Sequence, residues 1–164
     1  ELHSLIEEVL TDLEPLAQEK KVELIQKSQG AGAKADEELF LTGSDILIYR
    51  MLYNLVENAI KYNHENGWVH VSLNADHKYF YLKVEDSGLG IPQEDQAHIF
   101  ERFYRVDKSH SREIGGTGLG LAIARNAVIV HRGSIKVHSN EGEGTTFTVR
   151  IPLIYTTVPE GVGR

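Results

Sequence analysis

Polar side chains that could hold a metal–phosphate group lie along one helical face in the middle of the chain. At about 100° per residue, Asn54, Asn58, Lys61 and Tyr62 fall within an arc of about 100°. Two amides, an ammonium and a phenol suit a metal–phosphate group beside an aromatic base. An ordinary amphipathic helix with a solvated face would show the same pattern, so this segment alone leaves both interpretations open.

A turn that carries an acid and two glycines, Asp-Ser-Gly-Leu-Gly-Ile at residues 86–91, directly follows a predicted strand. The carboxylate of Asp86 could accept a hydrogen bond from an exocyclic amine, and Gly88 and Gly90 would let a planar base approach the backbone closely. This chemistry is that of adenine recognition, in which one charge-assisted bond contributes about 1.5–3 kcal/mol. Most stretches of this kind are only turns, so the motif is weak in isolation.

A second glycine cluster, Gly-Gly-Thr-Gly-Leu-Gly at residues 115–120, opens a predicted helix. Backbone N–H groups at a helix N-terminus bind phosphate well. The cluster lacks the Gly-Lys-Ser/Thr ending of a P-loop, and its spacing differs from that of the dinucleotide fingerprint. A glycine-rich hinge or a close helix contact is the alternative.

Between the two glycine clusters lies a basic segment that contains Arg102, Arg105, Lys108 and Arg112. Such a segment is typical of a flap that covers phosphates, with glycines at its far end that permit movement. A solvated loop would have the same composition. Glu57, inside the helix of residues 54–62, is either a base or a surface charge beside Lys61, and we favour the surface charge.

Composition excludes several classes of function. The 164 residues are 41% hydrophobic and most simply form one domain. A net charge of −7 argues against nucleic-acid binding. The absence of cysteine excludes disulfides, thiolate zinc sites and cysteine nucleophiles, and is compatible with a reducing compartment. No apolar run is long enough to span a membrane, and the first residues do not have the pattern of a signal peptide.

Apolar periodicity predicts three main helices and at least five strands. The first helix covers about residues 2–20, with a kink at Pro15 or a division into two shorter helices. The second covers 45–62, with Ser44 or Asp45 as N-cap, and the third covers 118–131. A short helix is also predicted from Pro92 through Phe100. The strands lie near 22–26, 40–42, 68–74, 79–85, 134–139 and 145–151. Hairpin links predict a mixed, mostly antiparallel sheet with helices on one face, an α+β two-layer sandwich.

The order of these motifs resembles a known family. Asn54-x3-Asn58-x2-Lys61, Asp86-x-Gly88-x-Gly90, Phe100-x2-Phe103 and Gly116-x-Gly118-x-Gly120 are similar to the N, G1, F and G2 boxes of sensor histidine kinases. These kinases belong to the ATPase superfamily shared with gyrase B, Hsp90 and MutL, which has the Bergerat fold. The resemblance covers residues 2–153, and the four boxes together are highly specific.

The resemblance implies a site for ATP or ADP with Mg²⁺. Asn58 would supply a Mg²⁺ ligand, Asn54 would contact metal or phosphate, Lys61 would bind phosphate, and Tyr62 would lie near the ribose and base. Asp86 would accept from the adenine amino group in a pocket shaped by Gly88, Gly90 and Ile91. Arg105, in a lid over about residues 101–117, would reach the γ-phosphate. The phosphate tail would lie on Gly116, Thr117, Gly118, Leu119 and Gly120. Asn54, Lys61 and Arg105 would be the catalytic residues.

The family transfers phosphate to a histidine in a separate dimerising hairpin, and no histidine here has that context. We therefore expect residues 1–154 to be an excised cytoplasmic catalytic domain, and 155–164 a loosely ordered tail. Its expected partners are that hairpin and, downstream, a response regulator, with no nucleic acid and no direct membrane contact. The alternatives are a gyrase- or Hsp90-type ATPase, which would have a glutamate base where Asn54 stands, and a non-catalytic nucleotide-binding module.

Overall fold

The structure is a computed structural model that describes residues 1–28, 43–104 and 119–153. Its elements in chain order are α1 (Leu2–Lys20), β1 (Glu23–Ser28), α2 (Asp45–Lys61), β2 (Trp68–Ala75), β3 (Tyr79–Asp86), α3 (Gln93–Gln96), α4 (Gly120–Val130), β4 (Ser134–Asn140) and β5 (Gly144–Pro152). The predicted strand at 40–42, most of the predicted lid, residue 154 and the predicted tail at 155–164 lie outside the described residues.

The strands of the described residues form one five-stranded sheet in the order β1-β2-β3-β5-β4. β1 pairs with β2 in parallel, and the other three pairings are antiparallel. Val71 on β2, Val84 on β3 and Phe147 on β5 lie side by side and are buried towards the helices, as strand alternation requires. The predicted α+β two-layer fold is confirmed.

Helix α1 is a single helix, so the alternative of two shorter helices is wrong. Its buried residues are Leu2, Ile6, Val9, Leu13 and Ala17, which form one stripe at helical spacing. Pro15 lies inside the helix on its exposed side. Burial of Leu13 and Ala17 on either side of Pro15 holds both turns against the core, and this packing outweighs the missing backbone donor of proline.

Helix α2 begins as the sequence predicts. Ser44 is the N-cap, and its hydroxyl accepts a hydrogen bond from the amide of Leu47 at 3.2 Å. The apolar face, which includes Met51, Leu55 and Ala59, is buried in the core. The opposite polar face is therefore presented outwards, where it can form a site.

The predicted helix from Pro92 through Phe100 is wrong in its length. Only Gln93–Gln96 is helical, and tighter turns follow it, with the amide of His98 donating to the carbonyl of Asp95 and that of Glu101 to the carbonyl of His98. These turns bring the ring of Phe100 against Phe147, with 6.1 Å between ring centroids. No helix in the described ranges is long and apolar enough to cross a membrane.

Two glycines in the β4–β5 turn provide a test of this packing. Gly142 and Gly144 both have positive φ, at 84° and 103°, but a methyl group on Gly144 would lie 2.1 Å from the carbonyl oxygen of Asp86, whereas one on Gly142 would meet nothing within 4 Å. We expect Gly142→Ala to cost about 1–2 kcal/mol of unfolding free energy from backbone strain alone. Gly144→Ala should cost about 1–3 kcal/mol more because the backbone of β3 must move. Urea denaturation of both variants measures the difference, and equal losses would contradict the close approach.

Candidate functional site

The polar face of α2 is partly buried and carries three of the predicted residues. Asn54, Asn58 and Lys61 are all intermediate in exposure, and Tyr62 is the C-cap that immediately follows the helix. Lys61 Nζ lies 3.6 Å from Glu57 Oε2, one helical turn earlier, and both side chains are about three-quarters buried. Glu57 is therefore an ion-pair partner of Lys61. This contact agrees with the prediction that Glu57 is a charged group beside Lys61 and not a catalytic base.

Asp86 is the last residue of β3 and is only 8% exposed. Its Oδ1 accepts hydrogen bonds from the amide of Gly88 at 2.8 Å and from the amide of Thr145 at 3.3 Å. Within the described part of the chain, both hydrogen bonds of the carboxylate end on Oδ1. The second oxygen, Oδ2, is therefore the atom available to accept a hydrogen bond from a ligand.

Burial raises the pKa of Asp86 to about 6. The amides of Gly88 and Thr145, and more weakly His64, act in the opposite direction because they favour the ionised form, but desolvation dominates. The carboxylate is thus ionised at neutral pH at a cost in free energy. A perturbed carboxyl group at a strand end is typical of a functional site.

The turn after Asp86 packs tightly against the end of α2. A methyl group on Gly88 would lie 2.3 Å from the carbonyl oxygen of Tyr62, and the amide of Leu89 donates to that same oxygen at 3.0 Å. Gly90 has φ of 75° and lies close to the carbonyl of Asn140. Glycine is therefore required at both positions, and the turn brings Asp86 to the Tyr62 end of α2.

A second set of hydrogen bonds connects this turn to β4, to the start of β5 and to α3. The amide of Ile91 donates to Ser139 Oγ at 2.8 Å, which in turn donates to the carbonyl of Gly144 at 2.8 Å. Gln96 Nε2 donates to the carbonyls of Ile91 and Ser139 at 2.9 and 3.0 Å. Sequence reasoning missed Gln96, Ser139 and Thr145, because strand pairing and a distant turn bring them together and no local motif marks them.

Helix α4 begins beside the first residue of the polar face. A methyl group on Gly120 would lie 3.6 Å from Asn54 Oδ1, so the helix N-terminus and the amide of Asn54 are neighbours. Leu119 is the N-cap residue and makes no side-chain cap hydrogen bond. The positive end of the α4 dipole therefore lies near Asn54, where it favours an anionic group such as phosphate.

The remaining predicted residues of the phosphate end, Arg105, Gly116, Thr117 and Gly118, lie outside the described residues, as do Lys108 and Arg112. Arg102 is described and is exposed. The described ranges also contain no group of three or more His, Cys, Asp or Glu side chains that could hold a metal ion. The side chains predicted to hold Mg²⁺, Asn58 and Asn54, carry hard amide oxygens, which fit a cation held mainly by substrate phosphates and water.

The described site thus has two ends joined by one helix. Asp86 and its glycine turn lie at the end of α2, next to Tyr62, and the start of α4 lies beside Asn54. Asn54 precedes Tyr62 by eight residues, which corresponds to about 12 Å along the helix axis. A carboxylate oxygen that can accept a hydrogen bond at one end, and a helix N-terminus beside an amide at the other, are suited to the base and the phosphates of a nucleotide.

A family model described as histidine kinase-, DNA gyrase B-, and HSP90-like ATPase matches residues 43–154, which is more than half of the chain. The chain therefore belongs to this family of ATPase domains. The matched range contains α2, the Asp86 turn and the start of α4, so the family assignment and the geometry concern the same part of the molecule.

Within the family, the relatives of this chain are of the histidine-kinase type. Sensor histidine kinase RppB of Synechocystis sp. is 44% identical over 116 residues, which are 71% of this chain and 26% of RppB. The catalytic domain of histidine kinase ThkA has a TM-score of 0.76 at 29% identity and covers 93% of this chain and 94% of that domain. The chain thus spans about a quarter of the length of RppB and corresponds to the ATP-binding catalytic domain of such kinases.

A further solved structure shows ThkA in complex with the response regulator protein TrrA. Its TM-score is 0.75 at 26% identity, with 96% of this chain and 42% of that chain covered. Together these similarities confirm the predicted family and the predicted kinase subgroup.

The raised pKa of Asp86 predicts that this residue destabilises the fold at neutral pH. The pKa of Asp86 is about 6 in the folded state, against 3.8 for the ordinary group. Protonation of Asp86 therefore favours the folded state, and this contribution to the free energy of unfolding is fully present below about pH 4 and is lost as the pH rises through 6. Asp86→Asn keeps an acceptor for both amides without a charge, so it should be more stable than the wild type at pH 7.5 by up to about 3 kcal/mol. Urea unfolding at pH 7.5 and pH 5 tests this, because the advantage should shrink at the lower pH. An advantage that is absent, or equal at both pH values, would contradict the assignment.

Proposed function

We propose that this domain binds Mg·ATP between α2, the Asp86 turn and the start of α4, and transfers the γ-phosphate to a histidine on a separate helical hairpin. The observation that carries the proposal is the buried carboxylate of Asp86, whose Oδ1 is held by two amides. This arrangement leaves Oδ2 to accept a hydrogen bond from the adenine amino group.

At the phosphate end we assign the binding of the nucleotide tail to Asn54 and the N-terminus of α4. The family resemblance assigns a phosphate contact also to Lys61, whose position on α2 is directly before Tyr62. The family resemblance adds Arg105, Gly116, Thr117 and Gly118, and it places Tyr62 near the ribose. Asn58, with Asn54, would hold Mg²⁺, which neutralises charge on the phosphates when it is bound. Catalysis would then consist mainly of positioning and charge stabilisation by these groups.

The transfer step needs a histidine nitrogen as acceptor, so that an N–P bond forms as the bond from the γ-phosphorus to the bridging oxygen breaks and ADP leaves. We propose that the acceptor histidine lies on a dimerising hairpin and that the phosphate then passes to a response regulator. The solved complex of the kinase ThkA with the response regulator TrrA supports the second part of this proposal. A cytoplasmic location is part of this proposal: the need for ATP supports it, and the absence of cysteine is compatible with a reducing compartment.

The geometry favours transfer over hydrolysis. An ATPase of the gyrase or Hsp90 type needs a carboxylate to activate water, and this chain has Asn54 at that position. The nearby carboxylate, Glu57, is engaged with Lys61 at 3.6 Å. A binding module without catalysis remains the alternative that experiment must distinguish.

Asp86→Asn should weaken nucleotide binding severely while the domain stays folded. The asparagine carbonyl would accept from Gly88 and Thr145, so its NH₂ group would face the adenine NH₂ group, donor against donor. We expect wild-type affinity for Mg·ATP between about 1 µM and 1 mM, and a loss of roughly tenfold to a hundredfold or more in the variant, by isothermal titration calorimetry.

Asp76→Asn is the matched control for this measurement. Asp76 Oδ1 also accepts two backbone hydrogen bonds, from Lys78 and Tyr79 at 2.8 Å each, but it lies in the β2–β3 turn at the opposite end of β3. Its substitution should leave nucleotide affinity unchanged. Equal affinity in wild type and Asp86→Asn would show that the adenine assignment is wrong.

Transfer itself is tested by adding a histidine-bearing hairpin of a related kinase with γ-labelled ATP. We expect label on the hairpin histidine that is stable to base and labile to acid, and a strong reduction of labelling by Asn58→Ala, which removes a metal ligand. Release of inorganic phosphate without labelling would instead support an ATPase, and binding without either product would support a regulatory module.

A further inference from the structure

His131 is a buried histidine that none of the predicted roles uses. It follows α4 directly and is only 2% exposed. Its Nδ1 lies 2.8 Å from the carbonyl oxygen of Ala127, and its Nε2 lies 3.0 Å from the amide nitrogen of Ser44. Since a carbonyl only accepts and a backbone amide only donates, Nδ1 is the donor to Ala127 and Nε2 is the acceptor from Ser44. Both ring nitrogens are therefore committed to fixed partners.

These contacts complete the N-cap of α2 from another helix. In a capping box, the side chain three residues after the N-cap returns a hydrogen bond to the N-cap amide. That position here is Leu47, which has no acceptor, and Nε2 of His131 takes its place at the Ser44 amide. The Cδ2–Nε2 edge of the imidazole also lies against the chain before the cap, since a methyl group on Gly43 would be 2.3 Å from both of these atoms.

The two helices joined by this contact meet again at the site. His131 at the end of α4 contacts Ser44 at the start of α2, and Gly120 at the start of α4 contacts Asn54 further along α2. The helices thus run antiparallel, with contacts separated by about 15 Å along each axis. Because both helices are rigid over this length, the contact at His131 constrains how closely the N-terminus of α4 approaches Asn54.

We infer that His131 is a positioning residue for the phosphate end of the nucleotide site, acting through the α2–α4 pair. The inference rests on the proposed function, because it assigns a role towards the nucleotide tail. The adenine end has its own supports, since Asp86 is held by Gly88 and Thr145 and the turn by Ser139 and Gln96. Release of His131 should therefore weaken interactions with phosphate and spare those with adenine.

The experiment compares the affinities of Mg·ATP and adenosine, both measured by NMR titration at a temperature where each variant is fully folded. His131→Leu keeps apolar volume but removes both hydrogen bonds, and His131→Gln can keep an acceptor for Ser44. We expect His131→Leu to weaken Mg·ATP about tenfold and adenosine by less than about twofold, with partial recovery in His131→Gln.

Two further variants separate positioning from general loss of stability. Gly43→Ala should displace the imidazole without changing it, and should reproduce the selective loss even if His131→Leu folds poorly. Leu73→Ala, in the core at the end of β2 away from Asp86, is the matched control, because it lowers stability without touching the α2–α4 contact. Its ratio of Mg·ATP to adenosine affinity should equal that of the wild type.

The outcomes distinguish this inference from the proposed function. Wild-type protein that binds neither ligand would overturn the nucleotide site, and the role of His131 with it. A second outcome is that the wild-type protein binds both ligands, but His131→Leu and Gly43→Ala weaken both ligands equally or weaken neither. This result would overturn the positioning role alone and would leave the nucleotide site unaffected. Selective loss of Mg·ATP affinity in both variants, but not in Leu73→Ala, would support it.

Discussion

Burial of one carboxylate at the end of a β-strand is the constraint on which the rest of this molecule depends. Asp86 closes β3 in the middle of the sheet and is kept from water by the strands and turn around it. Two backbone amides offset part of the desolvation cost, yet its pKa is still raised. An ionised group at this position costs stability, and the proposed contact of Asp86 with adenine would account for it.

The segments around Asp86 are shaped to keep that carboxylate in place. Gly88, Gly90 and Gly144 each approach a neighbouring backbone too closely to carry a side chain. Ser139 and Gln96 tie the turn, β4 and α3 into one network of hydrogen bonds. This rigidity lowers the entropy cost of binding, because the acceptor is already oriented before a nucleotide arrives.

Helix α2 connects the two ends of the site and is itself held from three directions. Its apolar face is buried in the core, its C-terminal end meets the Asp86 turn, and its N-terminus is capped by Ser44 and by His131 of the neighbouring segment. The proposed base-binding end and the proposed phosphate-binding end therefore share one rigid element. Their separation is set by helical rise, which does not vary with side-chain motion.

The sequence by itself determined most of the helices and strands, and it predicted which residues could carry the chemistry of the site. Alternating apolar residues predicted β2 and β3, helical periodicity predicted α1, α2 and α4, and Ser44 was recognisable as a cap because these signals are local. Asn54, Asn58, Lys61 and Asp86 were found through residue type and spacing. Only the tertiary structure decided which residues support them: Thr145 reaches Asp86 through β3–β5 pairing, and His131 reaches Ser44 across 87 residues of chain. Contacts between distant segments leave no periodic trace in a single sequence, since they depend on how whole elements pack.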